Sequence, residues 1–267
     1  MVTKMDYKEI NKRLWNDKTN VHFTSDFYDV DSFLKGRDTL NPVETELLGN
    51  INDKSILHLQ CHFGLDTISL SRHGALVTGV DFSDNAITRA NQLKETLGTN
   101  TRFIQSDIYN LTDNLHETFD VVFTSYGVIG WLPDMKKWAE TIAHFLKPGG
   151  IFVMVEFHPV IWMFSYDFKN IAFNYMDSSP IIEELEGTYA DRKSGIKSKS
   201  VAWNHGLGYV IDSIIKSGLE LTDFKEYDYS PYDCFENTVR IGERRFQIRG
   251  LENKIPMMYS IKATKKK

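Results

Sequence analysis

Asp81 is a lone acid closing an apolar run, Ala75 to Asp81, and an earlier run, Ile56 to Leu59, leads into the turn Gln60-Cys61-His62-Phe63-Gly64. A strand, a tight turn, a helix and a second strand ending on a carboxylate is how a doubly wound α/β sheet holds the ribose of a nucleotide-like cofactor. The carboxylate accepts hydrogen bonds from the sugar hydroxyls, and the turn meets the rest of the ligand. A dinucleotide site would need glycines at 60 and 62, because a pyrophosphate must approach bare backbone. Gln60 and His62 present side chains there instead, which counts against a nicotinamide dinucleotide. A cofactor ending in an amino acid is less demanding, since its carboxylate and ammonium can be met by side chains. Gln60 offers a donor and an acceptor, and His62 a nitrogen of either kind. S-adenosylmethionine is such a cofactor, and Gly64 remains as the glycine of the turn.

A second set of residues could face an acceptor molecule. Tyr28 comes from the N-terminal segment, Tyr126 and Trp131 from the loop after the fourth strand, and Glu156 from the end of the fifth. His158, just beyond that strand, is the first choice of proton acceptor, followed by Glu156 and His205. Cys61, inside the turn, reads as buried filler, and His58, within a strand, as a hydrogen-bonded histidine.

Alternating elements must position these groups. Residues 6–20 suit a helix with Ile10, Leu14 and Trp15 on one face. Pro42 opens a short helix ending at Gly49. Strands follow at Ile56 to Leu59, Ala75 to Asp81, Arg102 to Gln105, Phe119 to Thr124 and Ile151 to Glu156. The helix after Asp81 has Ser83 as its N-cap and Gly98 just past its end. Lys147-Pro148-Gly149-Gly150 reads as the turn before the fifth strand. A helix from Leu207 to Ile215, a strand from Leu219 to Tyr227 and a last strand from Met257 to Ala263 complete the pattern. Such alternation predicts a doubly wound, mostly parallel, seven-stranded Rossmann-like sheet with its last strand antiparallel. The segments expected are 1–50 as a helical cover for the cofactor site, 51–157 as the cofactor-binding core, 158–205 as an inserted aromatic-rich cap, and 206–267 as the end of the sheet.

The composition is that of a soluble globule. At 267 residues the chain can hold one large α/β domain with a cap. A net charge of −5 argues against a nucleic-acid groove or an anionic membrane as the partner, and the expected partner is a small-molecule acceptor. The two cysteines, Cys61 and Cys234, form neither a disulfide framework nor a metal pair, which is the usage of a cytoplasmic protein. No stretch is apolar enough for a membrane helix, the charged N-terminus lacks a signal core, and Lys265-Lys266-Lys267 reads as a frayed end.

These motifs resemble those of the class I S-adenosylmethionine-dependent methyltransferases of type 11 or 25. The resemblance covers residues 50–157 well and the C-terminal helix and strands moderately. The family's first motif, an acid, x, G, x, G, x, G, stands here as His58-Leu59-Gln60-Cys61-His62-Phe63-Gly64, so only Gly64 matches. The resemblance implies that Asp81 binds ribose with Phe82 packing on adenine, that Asp107 and Ile108 frame the adenine ring, and that Ser125 lies under the methionine moiety. A bacterial subgroup with the same first motif also carries Trp15-Asn16, His22, Ser25 and Phe27-Tyr28-Asp29-Val30. The implied activity is methyl transfer from S-adenosylmethionine to a small acceptor. The rivals are an NAD(P)-dependent oxidoreductase and a cofactor-binding protein without transferase activity. The sequence leaves the acceptor and the oligomeric state open.

Overall fold

The computed structural model describes residues 6–176 and 179–267. The first five residues of the expected N-terminal cover, and Asp177 and Ser178 of the expected cap, lie outside the described residues.

The chain opens with three helices, α1 (Tyr7–Phe23), α2 (Val30–Leu34) and α3 (Pro42–Leu48). The alternation then runs β1 (Ser55–Leu59), α4 (Leu65–Arg72), β2 (Leu76–Asp81), α5 (Asp84–Leu97), β3 (Arg102–Gln105), β4 (Phe119–Ser125), α6 (Met135–Phe145) and β5 (Leu146–Phe157). After the aromatic stretch come the hairpin β6 (Ile181–Glu186) and β7 (Lys197–Ala202), then α7 (Leu207–Lys216) and β8 (Leu219–Tyr227). A second hairpin, β9 (Thr238–Gly242) and β10 (Arg245–Ile248), precedes β11 (Met258–Lys265).

The main sheet has seven strands in the order β3-β2-β1-β4-β5-β11-β8. β1 pairs parallel with β2, β2 with β3, and β4 with β5, while β11 is antiparallel to both β5 and β8. The expected sheet, with its last strand antiparallel, is the one observed. Two local expectations change. The 147–150 stretch is not a separate turn: β5 begins at Leu146, and the pairing with β4 slips between Phe119 and Val121. A Cβ on Gly150 would sit 2.9 Å from the Lys147 carbonyl oxygen and 3.0 Å from that of Asp120, so this irregular entry requires glycine. Nor is Lys265 frayed. It lies in β11, and its ammonium donates to the carbonyls of Ala143 and Leu146 at 2.7 and 2.9 Å, closing the C-terminus of α6 where cations are favoured.

Caps and apolar periodicity explain the helix around Asp81. The Ser83 hydroxyl accepts the Ala86 N–H, Gly98 ends α5 in the left-handed region, and Ala86, Ile87, Ala90 and Leu93 turn inward at helical spacing.

The chain divides into two compact units. The first comprises the chain up to Leu40, Ile51–Glu117 and Pro180–Ala202; the second comprises Asn41–Asn50, Thr118–Ser179 and Trp203–Lys267. The 158–205 stretch thus contributes to both. The first unit packs Val30, Phe33, Phe63, Leu65, Ile68 and Leu93 together, with Tyr28 and Phe103 against them. Phe33 and Ile68 are fully buried, and each such side chain contributes about 1.5–3 kcal/mol by leaving water. The second unit packs Phe157, Ile161, Phe235, Ile248 and Met257. No described helix is long and apolar enough to cross a membrane.

Candidate active site

In the first unit, the turn between β1 and α4 is held by backbone. The Cys61 N–H donates to Val80 O and the Gly64 N–H to Cys61 O, both at 2.9 Å. Gln60, His62 and Gly64 all have positive φ, at 55°, 51° and 80°. The backbone is therefore the one that glycine favours, carried at two positions by residues with side chains. Left-handed backbone costs a non-glycine residue about 1–2 kcal/mol, so the turn holds strain that its neighbours must offset. Gly64 cannot be replaced in the same way, because a Cβ there would lie 2.6 Å from the Phe103 ring. Cys61 is buried, and burial pushes its thiol well up, so it is a filler and not a thiolate.

Asp81 ends β2 beside this turn. Its Oδ2 accepts the His62 N–H and its Oδ1 the Ser83 N–H, both at 2.9 Å. The Phe82 N–H also favours its charged form, and of the carboxylate's about four lone-pair positions those left over are available to ligand hydroxyls. Burial raises its pKa to about 6, against the lowering effect of the backbone donors. Phe82 is half-buried, and its carbonyl accepts the Gln105 amide at 3.1 Å. Asp107 caps the turn that follows it, accepting the Tyr109 N–H at 2.9 Å, and pairs with Lys8 through Oδ2. Ile108 is buried.

Residues outside the expected cofactor and acceptor sets complete this unit, Asn16 and His22 among them from the quoted Trp15–Val30 pattern. The Asn16 side chain accepts the Ser83 hydroxyl at 2.6 Å, and Asn11 exchanges two hydrogen bonds with the Val201 backbone. Lys18, His22 and Tyr189 gather around His62 and Tyr28. The Tyr28 and Tyr189 hydroxyls lie 2.5 Å apart, and His22 Nδ1 is 3.1 Å from His62 Nε2. His22 belongs to the quoted Trp15–Val30 pattern, which was the available signal. Tyr189 sits in a polar stretch with none.

In the second unit, Ser125 ends β4 opposite Val155, and Tyr126 donates its N–H to Val155 O at 2.8 Å. The Tyr126 ring meets Tyr232 edge-on at 5.1 Å. The Trp131 indole donates to Gly127 O at 2.8 Å, tying down the same loop. Glu156, expected to face the acceptor, is turned to the backbone. Its carboxylate accepts N–H groups from Gly127, Val128, Ile129 and Phe157, and the residue is 2% exposed.

His158 is also engaged. Its Nδ1 accepts the Val160 N–H at 3.1 Å, and its Nε2 lies 3.0 Å from the Glu226 carboxylate. The lone pair that a base would use is thus already occupied. His205 donates Nε2–H to Leu132 O at 2.7 Å, leaving Nδ1 bare and without a hydrogen-bond partner among the described residues. Of the three groups considered as bases, only His205 has a lone pair available.

Burial holds several imidazoles neutral, which makes the fold acid-sensitive. His22 is lowered from 6.5 to about 2 and His58 from 6.5 to about 3, burial being the leading cause for both. A depressed histidine contributes stability above its unfolded pKa that is lost as pH falls toward the folded value. Each such histidine costs about 1.4 kcal/mol per pH unit below that point. Asp81 opposes this, because its raised pKa makes the folded state bind a proton between 3.8 and about 6. With His62 likewise lowered from 6.5 to about 3, the expected result is a net loss of about 4 kcal/mol between about pH 7 and about pH 5, read by urea denaturation. Equal or greater stability at the lower pH would contradict it.

Comparison with known proteins agrees on the character of the core. Residues 56–150 match the profile of a family described as a methyltransferase domain. A ubiquinone biosynthesis O-methyltransferase of Coxiella burnetii is 30% identical over 128 residues, which is 47% of this chain and 54% of that protein. The chain thus spans about half the length of that relative. The protein of the same name from Pseudomonas fluorescens is 25% identical over 197 residues, covering 71% of this chain and 80% of its own. Among solved structures, an S-adenosylmethionine-dependent methyltransferase from Mesorhizobium loti superposes with a TM-score of 0.56 at 22% identity, over 87% of this chain and 100% of that one. At that identity the likeness shows the fold.

Proposed function

We propose that this chain, whose residues 56–150 match the profile of a methyltransferase domain, is an S-adenosylmethionine-dependent methyltransferase acting on a small-molecule acceptor. The observation that carries the proposal is Asp81. It sits at the end of β2, oriented by the backbone N–H groups of His62 and Ser83, and its remaining acceptor capacity suits the hydroxyls of a ribose. The turn beside it fits the rest of the cofactor. Gln60 and His62 put Cβ atoms where a pyrophosphate would need bare backbone, whereas an amino-acid tail can be met by their side chains.

When bound, the cofactor supplies an electrophilic methyl group. The protein's part is to bind, align and exclude water, and such positioning can contribute on the order of 7–11 kcal/mol. Gln60, His62, Gly64, Asp81, Phe82, Asp107, Ile108 and Ser125 are assigned to the cofactor. Asp107 would have to receive adenine beside its bond to Lys8. Tyr28, Tyr126 and Trp131 are assigned to the acceptor side, and Glu156 to holding the loop that carries the latter two. The net charge of −5 favours a small acceptor over a nucleic acid, and the subgroup pattern from Trp15 to Val30 belongs to the same proposal.

Thermal-shift titration tests the reading. S-adenosylmethionine or its demethylated product, at about a hundred times its dissociation constant, should stabilise the protein by about 2.7 kcal/mol, raising the melting temperature by about 5 °C. NAD and NADP should leave it unchanged. Stabilisation by a dinucleotide instead would replace this proposal with the oxidoreductase reading.

A further inference from the structure

Helix α1 lies across the loops that carry the cofactor acids. Lys8, Lys12 and Asn16 stand at i, i+4 and i+8, so they share one face and span about 12 Å of helix. Each reaches a loop at the C-terminal edge of the parallel strands. Lys8 pairs with Asp107 Oδ2, just after β3. Lys12 pairs with Asp84 at 2.9 Å, in the first turn of α5. The Asn16 side chain accepts the Ser83 hydroxyl at 2.6 Å, and the Asn16 carbonyl accepts the Asn85 amide at 3.1 Å. A second face of the same helix is held elsewhere. Leu14, Lys18 and His22 are buried, and Asn11 exchanges hydrogen bonds of 2.7 and 3.0 Å with Val201 of β7. All of these residues belong to the first unit.

These contacts cover what a cofactor has to reach. Asp81 is 9% exposed, and Asp107 Oδ2, beneath the Lys8 ammonium, is sealed from solvent. Ribose hydroxyls and an adenine amino group must come within hydrogen-bond distance of these two carboxylates. With α1 fastened at both ends of that edge, the helix has to lift before they arrive. The fastening is weak enough to allow it. The Lys8 and Lys12 side chains are 44% and 31% exposed, so solvent screens both ion pairs and each holds the helix only lightly. The fastening can also re-form. Lys12 and Asn16 grip residues 83–85, none of which is assigned to the cofactor, and Asp107 Oδ2 keeps a second lone pair beside Lys8. The same contacts therefore close the helix over a bound cofactor.

We propose that α1 is a strap that opens to admit S-adenosylmethionine and to release its product, and that Lys8 and Lys12 are the electrostatic latch that sets the rate of this exchange. This inference rests on the methyltransferase reading above. Because Asn11 ties α1 to β7, the β6–β7 hairpin travels with the helix. A latch that closes both with and without the cofactor slows entry and exit alike and leaves affinity nearly unchanged. A residue that simply touches the cofactor acts differently, since it changes affinity and does so through exit. Product release through a lid of this kind sets the turnover of many enzymes.

The test uses the full chain and S-adenosylhomocysteine, whose carboxylate and ammonium cancel in charge at neutral pH, so that salt acts on the protein's own ion pairs. Chasing labelled ligand with unlabelled gives the exit rate, calorimetry gives the dissociation constant, and their ratio gives the entry rate. The double variant Lys8→Met, Lys12→Met should exchange at least about threefold faster in both directions, with affinity within about twofold of wild type. Wild type should show the same acceleration between about 0.01 M and about 1 M salt, where the screening length falls from about 30 Å to about 3 Å, and the variant should not. An unchanged exit rate in the variant, or faster exit with proportionally weaker binding, would overturn the proposal. If the variant does not fold, wild type carries the test, and an exit rate independent of salt overturns it. If wild type does not bind S-adenosylhomocysteine, the methyltransferase reading fails and the strap with it. Binding with exchange rates of the overturning kind removes the strap alone.

Discussion

Glu156→Ala should destabilise the protein by about 4 kcal/mol, among the larger effects that a single substitution produces. The carboxylate is 2% exposed and accepts N–H groups from Gly127, Val128, Ile129 and Phe157. Alanine would leave four backbone donors without an acceptor in a place water does not reach. Each orphaned donor costs about 1–3 kcal/mol, reduced where the loop can relax toward solvent. Burial raises the pKa of Glu156 while the four donors lower it, so the charge is held by peptide dipoles and not by a counter-cation. Glu156→Gln keeps one oxygen but turns an amide NH2 toward N–H donors, and about 2 kcal/mol is expected. Urea denaturation of the three proteins checks the order wild type, glutamine, alanine. A loss below about 1 kcal/mol for alanine would show that the loop does not depend on this carboxylate.

Asp81→Ala should weaken S-adenosylmethionine binding by at least about a hundredfold. Two charge-assisted hydrogen bonds to ribose hydroxyls, at about 1.5–3 kcal/mol each, would be lost. The variant also releases the His62 and Ser83 N–H groups, so the turn that meets the cofactor tail loses its anchor. Asp81→Asn separates the two effects, because its amide oxygen can still accept one of those backbone bonds. It should bind more tightly than alanine and more weakly than wild type. Calorimetry with S-adenosylhomocysteine makes the measurement. Wild-type affinity in Asp81→Ala would remove Asp81 from the cofactor site. Because burial raises this group to about 6, wild-type binding should also weaken as pH falls through that value.

Much of this was legible in the sequence because it is local. Ser83 and Gly98 mark the ends of α5 through contacts a few residues away, and the apolar runs place β1, β2 and β4 to within a residue. The β9–β10 hairpin was not legible, since its strands are short, charged and half-exposed. The same separation holds at the site. Asp81 could be read because its position after an apolar strand defines its place at the sheet edge.

Glu156 shows what could not be read. An acid at the end of the fifth strand suits an acceptor pocket or a backbone staple equally, and the loop from Gly127 to Ile129 decides between them from 27 to 29 residues away. His158 likewise suits a base until Val160 and Glu226 take up its nitrogens. The sequence by itself determined the order of the main-sheet strands and the helices between them, the acid at the end of β2, and the absence of glycine at 60 and 62. Only the tertiary structure decided that Gln60 and His62 still take a glycine-like backbone, that His62 meets His22 across 40 residues, and that Tyr28 meets Tyr189 across 161. The reason is physical. Strand periodicity, caps and turns depend on neighbours along the chain, whereas the state of a buried polar atom depends on whichever distant group packing brings against it.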